Sequence, residues 1–175
     1  ISRSICCIIP QHLLMEIARN GTPSQRASAL RSIVAADQFR ARRNTWKEIA
    51  GFLTAVTVGG KQRTIYDAQH GTKLPGIVVR KEGDPAIKDP AVDEAYDWSG
   101  TTYDLYYNIY QRDSLNNYGL KLDSTVHYQT GYDNAFWDGQ QMVYGDGDED
   151  LHVSERLFNR FTIAIDVIGH ELTHG

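Results

Sequence analysis

The chain has 175 residues, a formal net charge of −4, 41% hydrophobic residues and 23% charged ones. That length suits one good core, or one domain with a small appendage, and the composition excludes the disordered and fibrous classes. No apolar run approaches the roughly 20 residues of a membrane-spanning helix, so no such span is expected.

The charge is unevenly spread. Residues 1–63 carry 10 Lys/Arg against 3 Asp/Glu, and residues 64–175 carry 8 against 19. Halves of opposite sign are expected to dock on each other. A basic arm for nucleic acid is the rival reading. The basic residues lack interleaved aromatics and accompany no binding motif, so no nucleic-acid partner is expected, nor a membrane one.

Ile1–Ile9 carries one Arg and a short apolar patch, without the small-residue cleavage site of a signal peptide. The two cysteines, Cys6 and Cys7, are adjacent, which rules out an ordinary stapling disulfide between them. Two roles stay open for them: idle thiols, or a thiolate that reaches a metal and blocks it. Pro10 to Asn20 reads as a short helix with Gly21 after its end and Leu13, Leu14 and Ile17 on its apolar face. Thr22 caps a second helix, with Pro23 at its first position. It is expected to run to about Arg43, with Ala27, Leu30, Ile33 or Val34, and Phe39 facing inward.

The pattern changes at Gly51. Phe52 to Val58, Gly59-Gly60 and Thr64 to Tyr66 read as strand, turn and strand, and Ile77 to Val79 as another strand. Asp89 and Pro90 open a long helix whose apolar face is marked by Val92, Tyr96, Tyr103, Tyr107 and Tyr110. Ser124 to Thr130 alternates as a strand, with Val126 and Tyr128 on one face. Asn134 to Tyr144 reads as a further strand with a turn at Asp138-Gly139. Gly145 to Asp150 is an acidic loop, either a calcium site or simply solvated, and its spacing is not that of an EF-hand. The last helix is expected from about Glu155. Phe158, Phe161, Ile163, Ile165, Val167 and Ile168 mix helical and alternate spacing, as in a helix buried on most of its surface.

That helix carries His170-Glu171-Leu172-Thr173-His174. H-E-x-x-H on a helix sets two imidazoles one turn apart on one face, with a carboxylate beside them. Neutral imidazole suits Zn²⁺, which activates water at neutral pH. Glu171 lies off the line shared by the histidines, so it suits a general base that takes the proton of the attacking water. The expected reaction is amide hydrolysis. Asp166, four residues before His170, either orients a ligand or binds a second cation, or else serves as a helix-start charge.

Three runs resemble the thermolysin-like metallopeptidases in order and spacing: Asn134-Ala135-Phe136-Trp137, Met142-Val143-Tyr144-Gly145-Asp146-Gly147-Asp148, and Asp166-Val167 leading to His170-Glu171-Leu172-Thr173-His174. The resemblance covers about residues 64–175. The helical unit before it resembles the propeptide of the protealysin-like, short-propeptide branch. The implied fold class is α+β, with a helical propeptide at 1–50, a linker or maturation region at 51–63, and an N-terminal catalytic lobe at 64–175. That lobe is expected as a mostly antiparallel twisted sheet with a long helix and the terminal H-E-x-x-H helix.

By the same resemblance, His170 and His174 are zinc ligands and Glu171 is the base. Asn134 and the backbone of Ala135 would hold the substrate main chain, and Phe158 and Val167 would help line a pocket for an apolar side chain. Pro10, Gln11, His12 and Leu13 would form the inhibitory segment, with Gln11 where the branch has a second proline. Asp166 matches a calcium ligand of long-propeptide relatives, whereas the protealysin-like branch lacks those calcium sites.

The family's third zinc ligand and its transition-state-stabilising histidine lie beyond Gly175, in a helical C-terminal lobe. The zinc site is therefore expected to be incomplete in this chain, and the chain inactive alone. Implied partners are a peptide or protein substrate, the chain's own propeptide docked in the cleft, and the C-terminal lobe of the same protein. Secretion is implied, with cytoplasmic accumulation as the alternative. The competing functional reading is a freestanding binding or inhibitory module with a degenerate metal site.

Overall fold

Proline lacks the N–H that the first helical turn leaves unpaired, so it starts helices at little cost. Pro10 precedes helix α1 (Gln11–Asn20) and Pro23 opens helix α2 (Pro23–Ala50). The computed structural model describes residues 8–50, 59–149 and 151–174, with backbone only over 42–50. Cys6, Cys7, the strand expected at Phe52–Val58, and Asp150 lie outside the described residues.

Thr22 and Gln25 form a reciprocal capping box at the start of α2. The Thr22 N–H donates to Gln25 Oε1 (2.9 Å) and the Gln25 N–H to Thr22 Oγ1 (3.4 Å). In α1 only Leu14 is buried; Ile17 is half-buried and Leu13 exposed. The inward stripe of α2 also departs from expectation. Ser28, Ala29, Ser32, Ala35, Ala36 and Phe39 are buried, Ala27 and Ile33 half-buried, and Leu30 and Val34 exposed. The reason is close approach. A Cβ built on Gly131 would lie 2.8 Å from Ser28 Oγ. Only small side chains fit between a helix and a backbone that near, so the larger apolar residues turn away.

Five strands form one sheet in the order β2-β1-β3-β5-β4: β1 (Arg63–Asp67), β2 (Ile77–Lys81), β3 (Leu122–Val126), β4 (Ala135–Trp137) and β5 (Met142–Tyr144). The sheet is mixed rather than mostly antiparallel. β1 pairs with β3 and β3 with β5 in parallel, while the outer pairs β1–β2 and β4–β5 are antiparallel. Parallel neighbours need a crossover, and helix α3 (Pro90–Tyr110) supplies it. Asp89 caps α3, its Oδ1 accepting from Ala91 N–H (3.0 Å) and Val92 N–H (3.3 Å). Val92, Ala95, Tyr96 and Tyr103 join Ile65, Leu122 and Val126 in the main core. Burial along α3 ends at Tyr103; Tyr107 and Tyr110, expected inside, are exposed.

β3 stops at Val126, short of the expected Thr130. His127 and Gln129 take φ of 52° and 49°, which ends the extended run. Tyr128 then leaves the Val126 face for a second cluster with Phe39, Tyr132 and Phe136. The run from Asn134 to Tyr144 is a hairpin that turns where expected, because Asp138 Oδ1 accepts from Gln140 N–H (2.8 Å) and Gln141 N–H (2.9 Å).

The last helix is shorter than its apolar pattern predicts. A single 3₁₀ turn covers Val153–Glu155, irregular backbone follows, and α4 spans only Ile165–Leu172. Long-range bonds hold the irregular stretch. Asp148 Oδ2 accepts from Leu157 N–H (2.9 Å) and Phe158 N–H (3.2 Å), and Phe161 N–H donates to Gly145 O (3.0 Å). Arg160 adds ion pairs to Glu94 (2.6 Å) and Glu149 (2.9 Å). The described acids of the 145–149 loop are therefore engaged by the protein itself, not merely solvated. In α4, burial is confined to Ile168, Glu171 and Leu172, one face rather than most of the surface.

Phe39 docks the helical unit on the body: it is 2% exposed and stacks on Phe136 with ring centroids 3.4 Å apart. Phe39→Ala should lower stability by about 3 kcal/mol, the usual cost of emptying a buried aromatic site. Leu30→Ala, at a residue 55% exposed, should stay within about 0.5 kcal/mol. Denaturant unfolding of both variants checks this, and equal losses would rule out the assigned docking face.

Candidate active site

α4 presents its functional side chains because Ile168 and Leu172 are committed to the core. His170 and His174 then sit one turn apart, ring centroids 5.1 Å from each other and nearly perpendicular at 85°. One donor atom from each of His170, Glu171 and His174 lies within 4.8 Å of the others. Two imidazoles beside a carboxylate fit Zn²⁺, with the imidazoles as ligands. Glu171 is fully buried, and its Oε2 accepts from the Trp137 N–H at 3.2 Å. A carboxylate in so dry a place needs such a donor. Burial, with the Glu171 charge adding to it, also pushes the Tyr144 phenol pKa well up.

Trp137 belongs to β4, the outermost strand of the sheet beside β5. An edge strand carries backbone groups free to pair with another chain. Asn134 stands just before it, fully buried. Its Oδ1 accepts from Ala135 N–H (3.0 Å) and from the distant Ile9 N–H (3.0 Å), and its Nδ2 donates to Ile9 O (3.4 Å). The N-terminal segment thus reaches the start of the edge strand at Ile9, where both backbone groups meet Asn134. Ile8 and Ile9 pack against the main core cluster, as do Phe158 and Val167.

Of the segment expected there, Pro10 caps α1, while Gln11, His12 and Leu13 are exposed, and Gln11 accepts from Arg40 Nη2 (3.3 Å). The contact sits one residue earlier than expected, since a main-chain pairing demands no particular side chain. Ile9 itself opens the run Ile9-Pro10-Gln11-His12-Leu13-Leu14 that resembles the branch's motif. The Trp137 N–H left no trace in the sequence. Phe158 lies on irregular backbone rather than on the last helix, and is half-buried like Val167. Asp166 is exposed in the first turn of α4, where it favours the helix dipole. Among the described residues it joins no group of potential metal ligands. A cleft of about 700 Å³ opens between α3 and α4, lined by Leu105, Tyr106, Tyr110, Ile165, His170 and others. Tyr106 and Thr173 hydroxyls bridge its two sides at 3.1 Å.

Residues 55–175 match the model of the thermolysin metallopeptidase catalytic domain. The chain belongs to the thermolysin family of metallopeptidases. It is 47% identical over 174 residues to an extracellular metalloprotease of Pectobacterium carotovorum subsp. carotovorum, covering 99% of this chain and 48% of that one. It superimposes on the precursor of protealysin, a metalloproteinase from Serratia proteamaculans, with a TM-score of 0.77 and 44% identity, over 96% of this chain and 45% of that one. A thermolysin of Alicyclobacillus acidocaldarius subsp. acidocaldarius is 45% identical over 112 residues, only 62% of this chain. The chain spans about half the length of the first two relatives. Likeness to those two takes in the N-terminal helices.

Asn134→Ala removes both partners of the Ile9 backbone. The Ile9 amide should exchange with solvent about tenfold faster or more, as for a lost hydrogen bond worth about 1.4 kcal/mol. Amide hydrogen exchange read at Ile9 checks it, and unchanged protection would remove Asn134 as the anchor.

Proposed function

We propose that this chain is part of the precursor of a secreted zinc metalloendopeptidase, with its N-terminal helices as an autoinhibitory propeptide. The observation that carries the reading is Glu171 beside the histidine pair, buried and bonded to the edge of the sheet. His170 and His174 would hold zinc, which when bound supplies Lewis-acid activation of a peptide carbonyl. Glu171 takes the proton of the attacking water and passes it to the leaving amine. Its bond to Trp137 N–H keeps the carboxylate aimed. Peptide substrate enters alongside β4 as an added strand, with Asn134 and the Ala135 backbone holding its main chain. Phe158 and Val167 favour an apolar side chain beside the scissile bond.

Ile9 already makes the Asn134 pairing that a substrate would need, which supports inhibition by the chain's own N-terminal segment. A boundary between propeptide and catalytic lobe is placed within residues 51–63. Arg63 opens β1 held by Glu82 and by the Tyr96 ring, 3.6 Å from its guanidinium, so the mature lobe keeps that residue. Leu105, Tyr110 and Ile165 are exposed and line the cleft. Apolar exposure of that extent supports a further lobe of the same protein packed there, bringing the remaining zinc ligand. Secretion follows the extracellular relative.

Glu171→Gln keeps the shape and removes the base. In the full-length protein it should cut peptide hydrolysis by about 10²- to 10⁴-fold and stop self-cleavage between α2 and β1, with zinc content unchanged. Assay of a model peptide alongside metal analysis tests this. A loss below about tenfold with zinc retained would remove Glu171 from the base role.

A further inference from the structure

We propose that His70, His127 and Asp146 form a second divalent-metal site, independent of the H-E-x-x-H pair, that takes a zinc-like transition ion. The strand order places it. β1, β3 and β5 are consecutive neighbours running in the same direction, so their carboxyl ends line one edge of the sheet. That edge is a common place for ligands in parallel sheets. Each of the three strands delivers one member just past its end: His70 after Asp67, His127 after Val126 and Asp146 after Tyr144.

The geometry is that of a ligand set. One donor atom from each residue lies within 4.8 Å of the others. Asp146 Oδ2 is 2.9 Å from His127 Nδ1 and 3.4 Å from His70 Nδ1, so three donors converge on one point. Asp89 Oδ2 lies 3.1 Å from the other nitrogen of His127, Nε2. A carboxylate behind a ligating histidine fixes its tautomer and raises its basicity. The backbone locks the two histidines together, with His70 N–H donating to His127 O at 2.8 Å. Both take left-handed φ, 56° and 52°, a conformation uncommon outside glycine. Strain at two facing ligand positions is characteristic of sites that the rest of the fold holds in place for use.

The cluster opens into a cavity of about 430 Å³, also lined by Thr130, Gly131 and Glu149, with no Lys or Arg among its lining residues. Water has room there to complete the coordination shell. Two imidazoles and a carboxylate select zinc-like ions over calcium or magnesium, which prefer oxygen alone. The carboxylates of Asp146, then Asp89, hold the His127 imidazole pKa up at about 9.

The test uses the full-length protein with His170→Ala and His174→Ala, which silences the first site. After dialysis against Zn²⁺ at about pH 8, metal analysis should find about one equivalent retained per chain. Adding His70→Ala, at an exposed side chain, should weaken zinc at least tenfold, and Asp89→Asn about tenfold through the lost support. A protein without the first two substitutions should show zinc falling by about one equivalent on His70→Ala alone, which covers failure of the silenced variant to fold. No zinc retained in the silenced background, or binding indifferent to His70→Ala, would leave only a hydrogen-bonded cluster and overturn the site. Neither result bears on the peptidase reading, since the two clusters share no residue.

Discussion

The bond from the Trp137 N–H to the Glu171 carboxylate joins the edge strand β4 to helix α4. Each side has a problem that the other solves. A buried carboxylate without a donor costs several kcal/mol, and an edge strand without a partner leaves N–H groups unsatisfied. Their union sets the height of α4 against β4. Ile168 and Leu172 then seat the helix in the core, and the two histidines fall on the side that remains open. The hairpin turned by Asp138 and the crossover through α3 act by bringing β4 and α4 to that meeting.

What could be read from the sequence is what local chemistry decides. Asp89-Pro90 announced α3 because the cap and the proline act within one turn. Asp138-Gly139 announced the hairpin for the same reason. The H-E-x-x-H spacing put the two imidazoles one turn apart through helix geometry alone. The family resemblance pointed to Asn134, Ala135, Phe158 and Val167, which spacing alone could not single out. The rest depended on distant partners. Residues 156–164 have an apolar pattern fit for a helix, yet Asp148, Gly145 and Glu94 hold their backbone and side chains in irregular positions. On α2 apolar size is a poor guide to the inward face, since Phe39 is buried but Leu30 and Val34 are exposed. A helix lying this close to Gly131 buries serine and alanine instead.

The charge contrast between the two halves of the chain predicted that they would meet, but not how. Among the described residues, contacts across the surface include stacking of Phe39 on Phe136, a bond from Asp133 N–H to Ser32 Oγ at 2.9 Å and one from Gln25 Nε2 to Glu155 O at 2.9 Å. Arg19 and Arg40 pair with Glu16 and Asp37 of their own helices. Exposed ion pairs of that kind contribute roughly 0–1 kcal/mol. Opposite net charge can speed an encounter, while fixed docking needs packing and buried hydrogen bonds.

Ser32 and Ile9 take hold of consecutive residues of the body, Asp133 and Asn134. The two grips are linked through the α1–α2 pair. One backbone pairing at Ile9 is a weak contact by itself, worth about 1–3 kcal/mol. Docking of α2 keeps Ile9 beside Asn134 and makes that pairing intramolecular, with an effective concentration that a free peptide of the same sequence would lack. The small-residue face of α2 therefore has a consequence beyond packing. By lying close to the sheet, it sets where the segment ahead of Pro10 can reach, and that place is the edge of the strand bound to Glu171.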